Sequence, residues 1–347
     1  LIEKYKCHKV PLSKKSLYFH QDFNNEIHCY TNAQKYLDSI IKIIIKDSKK
    51  YSKSYLQKFT LNQFIINEYK NKHLSQKIKN LFGYDSEINK MNAYNSLRSF
   101  ELDFLSNQYY VLKEGLSELC NRMYKNLNSS SNVTFLLNFH IYNVKKMKSL
   151  YEVEGKNKSF LTKNVIFAVK APQLKEFSIL KKIHTDLNCV YGAPLLRIYA
   201  KYPLQNNKVW FKEYPKIITN NVLRQIIPID YKTGLIMISY TDNKDIDIFF
   251  KDKSKKILKS KTQIKSIIDK ELKILFPDKN IPSPTYFETH LWTLGCHHWK
   301  ANCNSDKIIK NIRHPYKHIF IVGEAFSHKQ AWMEGALQSV QEMMKLL

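Results

Sequence analysis

The chain has 347 residues with a hydrophobic share of 44%, enough for a large core in one or two domains. This composition excludes a disordered, collagen-like or low-complexity protein. The formal net charge is +26, and five of the 56 basic residues are arginine, which leaves 51 lysines. Such a field favours polyanions, although lysine, asparagine and isoleucine are abundant together, as an AT-rich coding sequence would produce. We predict weak, non-specific nucleic-acid binding by the lysine-rich surface.

The cysteines are scattered and form no CxxC pair, which favours free thiols in a reducing compartment. We expect a cytoplasmic or other reducing location, with a virion as the alternative. No apolar run approaches the ~18–20 residues of a membrane span. The first residue is Leu1 rather than methionine, which favours a fragment of a longer chain.

The N-terminal third is predicted to be mainly helical after an extended stretch at Leu17–His20. Apolar residues with helical spacing predict a long first helix, which Thr31 or Asn32 would cap: Leu37, Ile40, Ile41, Ile44 and Ile45. Helical character continues with breaks to about residue 106, and Val111–Tyr124 is predicted to be another helix.

The rest of the chain has the pattern of short strands. One antiparallel meander is predicted at Val133–Leu137, Ile141–Val144, Leu150–Glu154 and Asn164–Val169. A second sheet is predicted at Ala193–Tyr202, Lys208–Phe211 and Gly234–Tyr240. A helix at Thr262–Phe276 and a strand at Ile319–Val322 follow. The last helix carries an apolar stripe of Met333, Leu337, Val340, Met344 and Leu347.

The most informative segment is Ile319-Phe-Ile-Val-Gly-Glu-Ala325, followed by Gln330-Ala-Trp-Met-Glu-Gly-Ala-Leu-Gln-Ser339. Gly323 at a strand end lets the backbone approach a ligand, and Glu324 can accept hydrogen bonds from hydroxyl groups. A helix beginning near Trp332 offers free N–H groups to an anion. Together they predict a site for the ribityl chain and the N1–C2=O edge of a flavin. An ordinary strand–turn–helix is the alternative.

This segment resembles the C-terminal signature of the FAD-dependent amine oxidase family, which includes the monoamine and polyamine oxidases. The nearest likeness is to relatives from large DNA viruses and protists. Further stretches fit the family in the same order, from about residue 80 to 345: Gly83–Glu87 with Met91–Ala93, Tyr110–Leu119 with Glu114 in place of a glycine, Ile141–Val144, Val165–Val169, Leu195–Ala200 and Met237–Asp242.

The resemblance implies a mixed α/β (α+β) fold. An FAD-binding domain, with an incomplete Rossmann-type part, would be interleaved with a substrate domain of mixed sheet and helices. The implied segments are an N-terminal remnant (1–30), the helical part of the substrate domain (31–107), the FAD-domain meander (108–175), the substrate-domain sheet and helix (176–290) and the C-terminal FAD-binding segment (291–347).

The resemblance also implies a function: oxidation of a small amine by hydride transfer to FAD, with reoxidation by O2. The residues implied to bind FAD are Gly323, Glu324, Trp332, Met333, Gly335, Ala336 and Ile141. His297 and Trp332 would be the aromatic pair around the amine. Lys175 would hold a water near flavin N5, since it fits the family spacing better than Lys170.

The sequence departs from the family pattern at two places, and the first of them, together with the charge of +26, keeps a rival open. The sequence has eight glycines and no GxGxxG loop, so either the numbering starts inside a longer protein or the cofactor module was lost. His297 replaces the usual tyrosine. The rival is a catalytically inactive protein of the amine-oxidase fold, serving as a basic structural or nucleic-acid-associated protein.

Three features near these motifs have ordinary explanations. Cys296 falls where monoamine oxidases attach flavin covalently, but a buried thiol is the simpler interpretation. A metal cluster of Cys296, His297, His298 and Cys303 matches no standard zinc spacing, so we expect no metal. The basic run Lys251–Lys265 lacks interleaved aromatic residues, which favours a solvated approach to a helix over a nucleic-acid site.

Overall fold

The computed structural model describes residues 1–24, 26–105 and 109–347, which form a mixed α/β fold. The helices are α1 (Ala33–Ser48), α2 (Lys53–Leu56), α3 (Leu61–Tyr69), α4 (Lys72–Phe82), α5 (Ser86–Asn89), α6 (Ala93–Ser99), α7 (Leu116–Asn128), α8 (Ala171–Leu174), α9 (His184–Leu187), α10 (Lys261–Leu275), α11 (Ser305–Arg313) and α12 (Met333–Met344). The strands are β1 (Lys9–Pro11), β2 (Ser16–Gln21), β3 (Ile27–Tyr30), β4 (Tyr110–Leu112), β5 (Ile141–Met147), β6 (Leu150–Gly155), β7 (Ser159–Thr162), β8 (Val165–Phe167), β9 (Val190–Lys201), β10 (Lys216–Thr219), β11 (Gln225–Asp230), β12 (Leu235–Asp242), β13 (Phe250–Asp252), β14 (Ile257–Leu258), β15 (Tyr286–Trp299) and β16 (Ile319–Ile321).

The largest sheet has seven strands in the order β15-β9-β12-β11-β10-β2-β3. Among the described strand pairs of this sheet, the β10–β2 pair is the parallel one. Strand β9 pairs with β15 from Val190 opposite Trp299 to Lys201 opposite Tyr286, with an irregularity between Trp292 and Cys296. The long strands β9 and β15 therefore run through the predicted substrate sheet and reach the predicted flavin site.

The two faces of this sheet differ because side chains alternate along a strand. On β9, Leu196, Ile198 and Ala200 are fully buried in an apolar core. The helix α10 packs into the same core through Ile264, Ile268 and Leu272. Arg197 and Tyr199 lie on the opposite face and are half-buried. One face is thus a hydrophobic core, and the other is polar and aromatic.

The helices α1 to α6 form a second core beside the sheet. The predicted apolar face of α1 is confirmed, since Leu37, Ile41 and Ile44 are buried. Asn32 is the N-cap, although its side chain makes no capping hydrogen bond. Ile218 of β10 belongs to this helical core, so the helices are attached directly to the sheet.

Three of the predicted elements between residues 111 and 211 are wrong. The helix predicted at Val111–Tyr124 begins at Leu116, because Tyr110–Leu112 is a strand that pairs with β1. Val133–Leu137 forms no strand. Lys208–Phe211 is a turn whose apolar side chains are buried in the sheet core, which imitates the pattern of a strand.

The predicted meander is partly correct. Strands β5, β6 and β7 form an antiparallel three-stranded sheet. The last predicted strand, at Asn164–Val169, instead forms β8, which pairs in parallel with β16. The Val165–Val169 motif and the Ile319–Val322 strand therefore meet in one small parallel sheet.

The final helix is confirmed as α12, but its apolar stripe faces outward. Met333 and Met344 are each 59% exposed, and Leu337 and Val340 are also exposed. The buried face carries Gly335, Ser339 and Met343. Among the described residues, none of the helices combines the length and the hydropathy needed to cross a bilayer.

The prediction of free thiols is wrong for two of the six cysteines. Cys189 and Cys303 form a disulfide that joins the start of β9 to the loop before α11, 114 residues apart. Cysteine spacing could not indicate this pair because the two positions meet only through the fold. Cys7, Cys29, Cys120 and Cys296 are free.

Candidate functional site

The turn after β16 provides open backbone at Gly323. Its φ is +131°, a conformation that favours glycine, and a Cβ built there would meet no atom within 4 Å. The Gly323 N–H donates to Ser339 Oγ at 2.8 Å, which fixes the strand end on α12. Gly323 thus leaves room for a ligand against a backbone that is held in place.

Glu324 ties together three segments of the site. One carboxylate oxygen lies 2.5 Å from His297 Nδ1 on β15. The other accepts a hydrogen bond from the Ala331 N–H at 2.9 Å. Ala331 has a φ of +67°, which is uncommon for a residue with a Cβ. The carboxylate therefore helps to hold the strained loop that leads into α12, and its predicted contact with ribityl or pyrophosphate oxygens stays a prediction.

Two histidines at the end of β15 are buried beside this turn. His297 Nε2 and His298 Nδ1 are enclosed and have no hydrogen-bond partner among the described residues. His298 Nε2 lies 3.3 Å from Cys296 Sγ. Burial, with a further effect from His297, lowers the pKa of His298 to about 3, so its ring is neutral.

Trp332, at the N-cap of α12, has aromatic neighbours that the sequence did not indicate. Its ring stacks on Tyr109 with centroids 6.1 Å apart and an interplanar angle of 9°. Phe104 lies at a centroid distance of 6.2 Å. His297 contacts Glu324. The sandwich of His297 and Trp332 around an amine stays a prediction.

The start of α12 is accessible but its glycine serves packing. A Cβ at Gly335 would lie 2.2 Å from the Lys329 carbonyl oxygen and 2.3 Å from Ser327 Oγ. Met333 is exposed and Ala336 is half-buried. The first N–H groups of a helix have no intrahelical acceptor, so this end can accept an anionic ligand edge.

Lys175 contacts Asn188, and Ile141 pairs with Gly155, rather than with residues of this turn. The Lys175 side chain is exposed, and its Nζ donates to Asn188 Oδ1 at 2.5 Å. Ile141 begins β5 opposite Gly155 and is half-buried against the core beneath β8 and β16. Their roles toward a flavin stay predictions.

The cysteine and histidine side chains near this turn have separate partners. Cys303 is bonded to Cys189, His297 contacts Glu324, and Cys296 contacts His298. Burial raises the pKa of the Cys296 thiol well above its usual value, which disfavours the thiolate that a covalent flavin bond would require.

Sequence reasoning missed the polar face of the seven-stranded sheet. Arg197 Nη2 donates to the Tyr240 hydroxyl at 3.2 Å. The guanidinium carbon lies 4.7 Å from the Tyr240 ring centroid and 5.7 Å from that of Trp292. Tyr84 packs edge-on against Tyr240 at 5.0 Å. The available signal was the scarcity of arginine in a chain whose cations are mostly lysine.

Buried acids adjoin this face, since Asp242 follows Tyr240 by two residues on β12. Asp242 accepts hydrogen bonds from the backbone N–H groups of Asp85 and Ser86 at 2.7 and 2.8 Å. Glu87 is buried, and its Oε2 has no partner among the described residues. Burial raises the pKa of Glu87 well above its usual range, and the neighbouring Asp242 charge adds to the shift, so a neutral acid is favoured.

No protein-family model matches the sequence, and no curated protein matches it. Solved structures do match: a double mutant of putrescine oxidase, from a redesign of its cofactor binding, has a TM-score of 0.73 at 13% identity. A triple mutant from the same redesign has a TM-score of 0.74 at 13% identity. Each comparison covers 99% of this chain and 84% of the oxidase. The protein therefore has the mixed α/β fold of this amine oxidase.

Proposed function

We propose that the protein is a flavin-dependent oxidoreductase that oxidises a small amine, with FAD as the cofactor and O2 as the electron acceptor. The observation that carries this proposal is the open turn at Gly323, which lies beside the accessible start of α12 in a chain with the fold of an amine oxidase over 99% of its length. An open glycine next to free helix N–H groups suits an anionic, hydroxyl-rich cofactor.

The residues present fit the flavin half of FAD. Gly323 offers space for close approach, and the first N–H groups of α12, beginning at Met333, can accept the N1–C2=O edge. The Glu324 side chain is 25% exposed, and its carboxylate would accept hydrogen bonds from hydroxyl groups of the ribityl chain. Ile141 would lie on the adenine side. The sequence has no glycine-rich loop for the pyrophosphate.

When bound, FAD would supply the acceptor for a hydride from the α-carbon of the amine. The protein's own groups would prepare that step. The amine must lose its extra proton, and we assign its acceptance to His297, whose Nδ1 contacts Glu324. Trp332 and Tyr109 would exclude water from the same place.

The visible spectrum of the purified protein tests the proposal. Flavin bands that persist through gel filtration are expected, and a folded, colourless protein that takes up no added FAD would refute it. Glu324→Gln should weaken flavin retention by removing charge from the turn. The matched control is Glu213→Gln, an exposed carboxylate outside the Gly323 turn and α12. Equal retention by the two variants would show that Glu324 does not contact the cofactor.

A second function, a basic protein without catalysis that associates with nucleic acid, is favoured by the net charge of +26. Counterion release gives any such surface weak binding at low salt. DNA binding measured from low to high salt separates the two: binding that survives high salt or depends on sequence would favour the second function. The compartment, the virion and the viral or protist relationship stay predictions.

A further inference from the structure

The polar face of the seven-stranded sheet leads from Arg197 toward the proposed flavin site. Antiparallel partners point to the same face, so Arg197, Trp292 and Cys296 share it through their pairing across β9 and β15. Arg197 is roughly 13 Å along the strand from Ala193, the residue opposite Cys296. Trp292 is 40% exposed, so this part of the face is not covered by the described residues.

Arg197 carries its charge on this face without a carboxylate partner among the described residues. Its contacts are the Tyr240 hydroxyl and the rings of Tyr240 and Trp292. Its Nε is buried and has no hydrogen-bond partner in the described part of the chain. A half-buried guanidinium with unused donors is costly unless an anion satisfies it.

The other arginines show that this is unusual. Three of them form ion pairs with carboxylates: Arg122 with Glu118, Arg224 with Asp245 and Arg313 with Glu342. The fourth lies in the last turn of α6, where the helix dipole favours a cation. Arg197 lies in the middle of a strand and has neither.

The nearest buried acids do not supply the missing charge. Glu87 lies close enough to Tyr84 and Cys296 to affect their pKa values, as Arg197 does. Within the described residues, however, Glu87 forms no ion pair with Arg197. Asp242 is already bound to Ser86 and to backbone N–H groups. Asp85 pairs with Lys79 at 2.7 Å. These acids have partners of their own or are enclosed.

We propose that Arg197 binds a carboxylate of the substrate, so that the amine this protein oxidises is an amino acid rather than a simple amine or a diamine. The inference rests on the proposed function and narrows its substrate class. The planar guanidinium fork matches a carboxylate, and the flanking Tyr240 and Trp292 rings fix its orientation. A diamine would bring a second positive charge toward Arg197.

Binding of benzoate and benzylamine, measured by calorimetry on the flavin-loaded protein, tests the site directly. Benzoate should bind more tightly than benzylamine, and Arg197→Met should weaken benzoate binding about 10- to 100-fold. Arg197→Lys keeps the charge without the fork and should lie between the two. The control is Arg122→Met, because Arg122 is paired on a distant helix. Equal benzoate binding by Arg197→Met and the unsubstituted protein would overturn the proposal.

Oxidation of matched substrates separates this inference from the proposed function. The pairs are phenylalanine with 2-phenylethylamine and 4-aminobutyrate with butylamine, assayed by hydrogen peroxide release. Preference for a carboxylated member supports both conclusions. Oxidation of only the simple amines overturns the Arg197 assignment and keeps the oxidase. Benzoate binding that depends on Arg197, without oxidation of any substrate, keeps the site and overturns the oxidase. The comparison of benzoate with benzylamine needs no variant to fold.

Discussion

The seven-stranded sheet and the C-terminal region around Gly323 are built in different ways. In the sheet, strands of up to 14 residues cover an apolar core that α10 closes. In the C-terminal region, a two-stranded parallel sheet of three residues per strand is followed by a helix whose apolar stripe faces outward. Hydrophobic burial dominates the first region.

In the second region, specific polar contacts are added to an apolar core. Glu324 joins His297 to the Ala331 loop, and the Gln330 side chain accepts from the Trp299 N–H at 2.7 Å and donates to the Ala325 carbonyl at 2.6 Å. Loss of one such contact leaves a buried group unsatisfied but opens no large cavity. Apolar truncations should therefore be severe in the sheet, and changes of backbone space or charge should be more important near Gly323.

The largest effect is expected in the sheet. Ile198→Ala removes a fully buried side chain from β9 and should lower the free energy of unfolding by about 2–5 kcal/mol. The matched control is Ile166→Ala on β8, where the side chain is 47% exposed. Urea unfolding measures both. Equal losses would mean that burial of the side chain does not set the cost of its truncation.

The disulfide should give the next largest effect. Cys303→Ser opens a covalent loop closed between residues 114 apart and should cost about 2–4 kcal/mol under oxidising conditions. Cys120→Ser, at an exposed free cysteine, is the control and should change little. With excess reductant, the unsubstituted protein should fall to the stability of Cys303→Ser. A melting temperature that reductant leaves unchanged would contradict the prediction.

A substitution that fills backbone space near Gly323 should have a smaller effect. Gly335→Ala places a Cβ against the Lys329 carbonyl and Ser327 Oγ, and should cost about 1–3 kcal/mol despite the higher helix propensity of alanine. Val340→Ala on the exposed face of the same helix is the control. Thermal unfolding compares them. A Gly335→Ala protein as stable as the parent would show that the 327–329 loop can move aside.

Local sequence patterns were sufficient where periodicity and burial agree. The apolar face of α1, the helix α10, the strands β9 and β12, and the turn at Gly323 were predicted because the pattern of each lies within a few residues. The turn at Lys208–Phe211 was mistaken for a strand because tertiary packing buries its side chains.

Contacts between distant segments could not be predicted. Strand β8 pairs with β16 across about 150 residues of sequence, and Cys189 meets Cys303 across 114. The isolation of Arg197 is also a tertiary property, since it depends on where every carboxylate lies. Glu324 was chosen for a ligand from its position after Gly323, but its contact with His297 needed the fold.

The smallest effect expected is a pH dependence from His298. Its folded pKa is held to about 3 by burial first and then by His297, whereas an unfolded histidine titrates near 6.5. Between these values the unfolded chain binds a proton that the folded protein does not, so stability is lost as the pH falls below 6.5. From pH 7 to pH 5 this should remove roughly 1–2 kcal/mol.

His298→Gln should lose that part of the acid sensitivity, and His140→Gln, at an exposed position, should retain it. Glu87 acts in the opposite direction, because a raised carboxyl pKa costs stability as the pH rises above its unfolded value. Urea unfolding at pH 7 and pH 5 gives the change in the free energy of unfolding for each variant. The difference between the His298→Gln and His140→Gln proteins is therefore the contribution of His298. Identical pH dependences would show that His298 is protonated in the folded state.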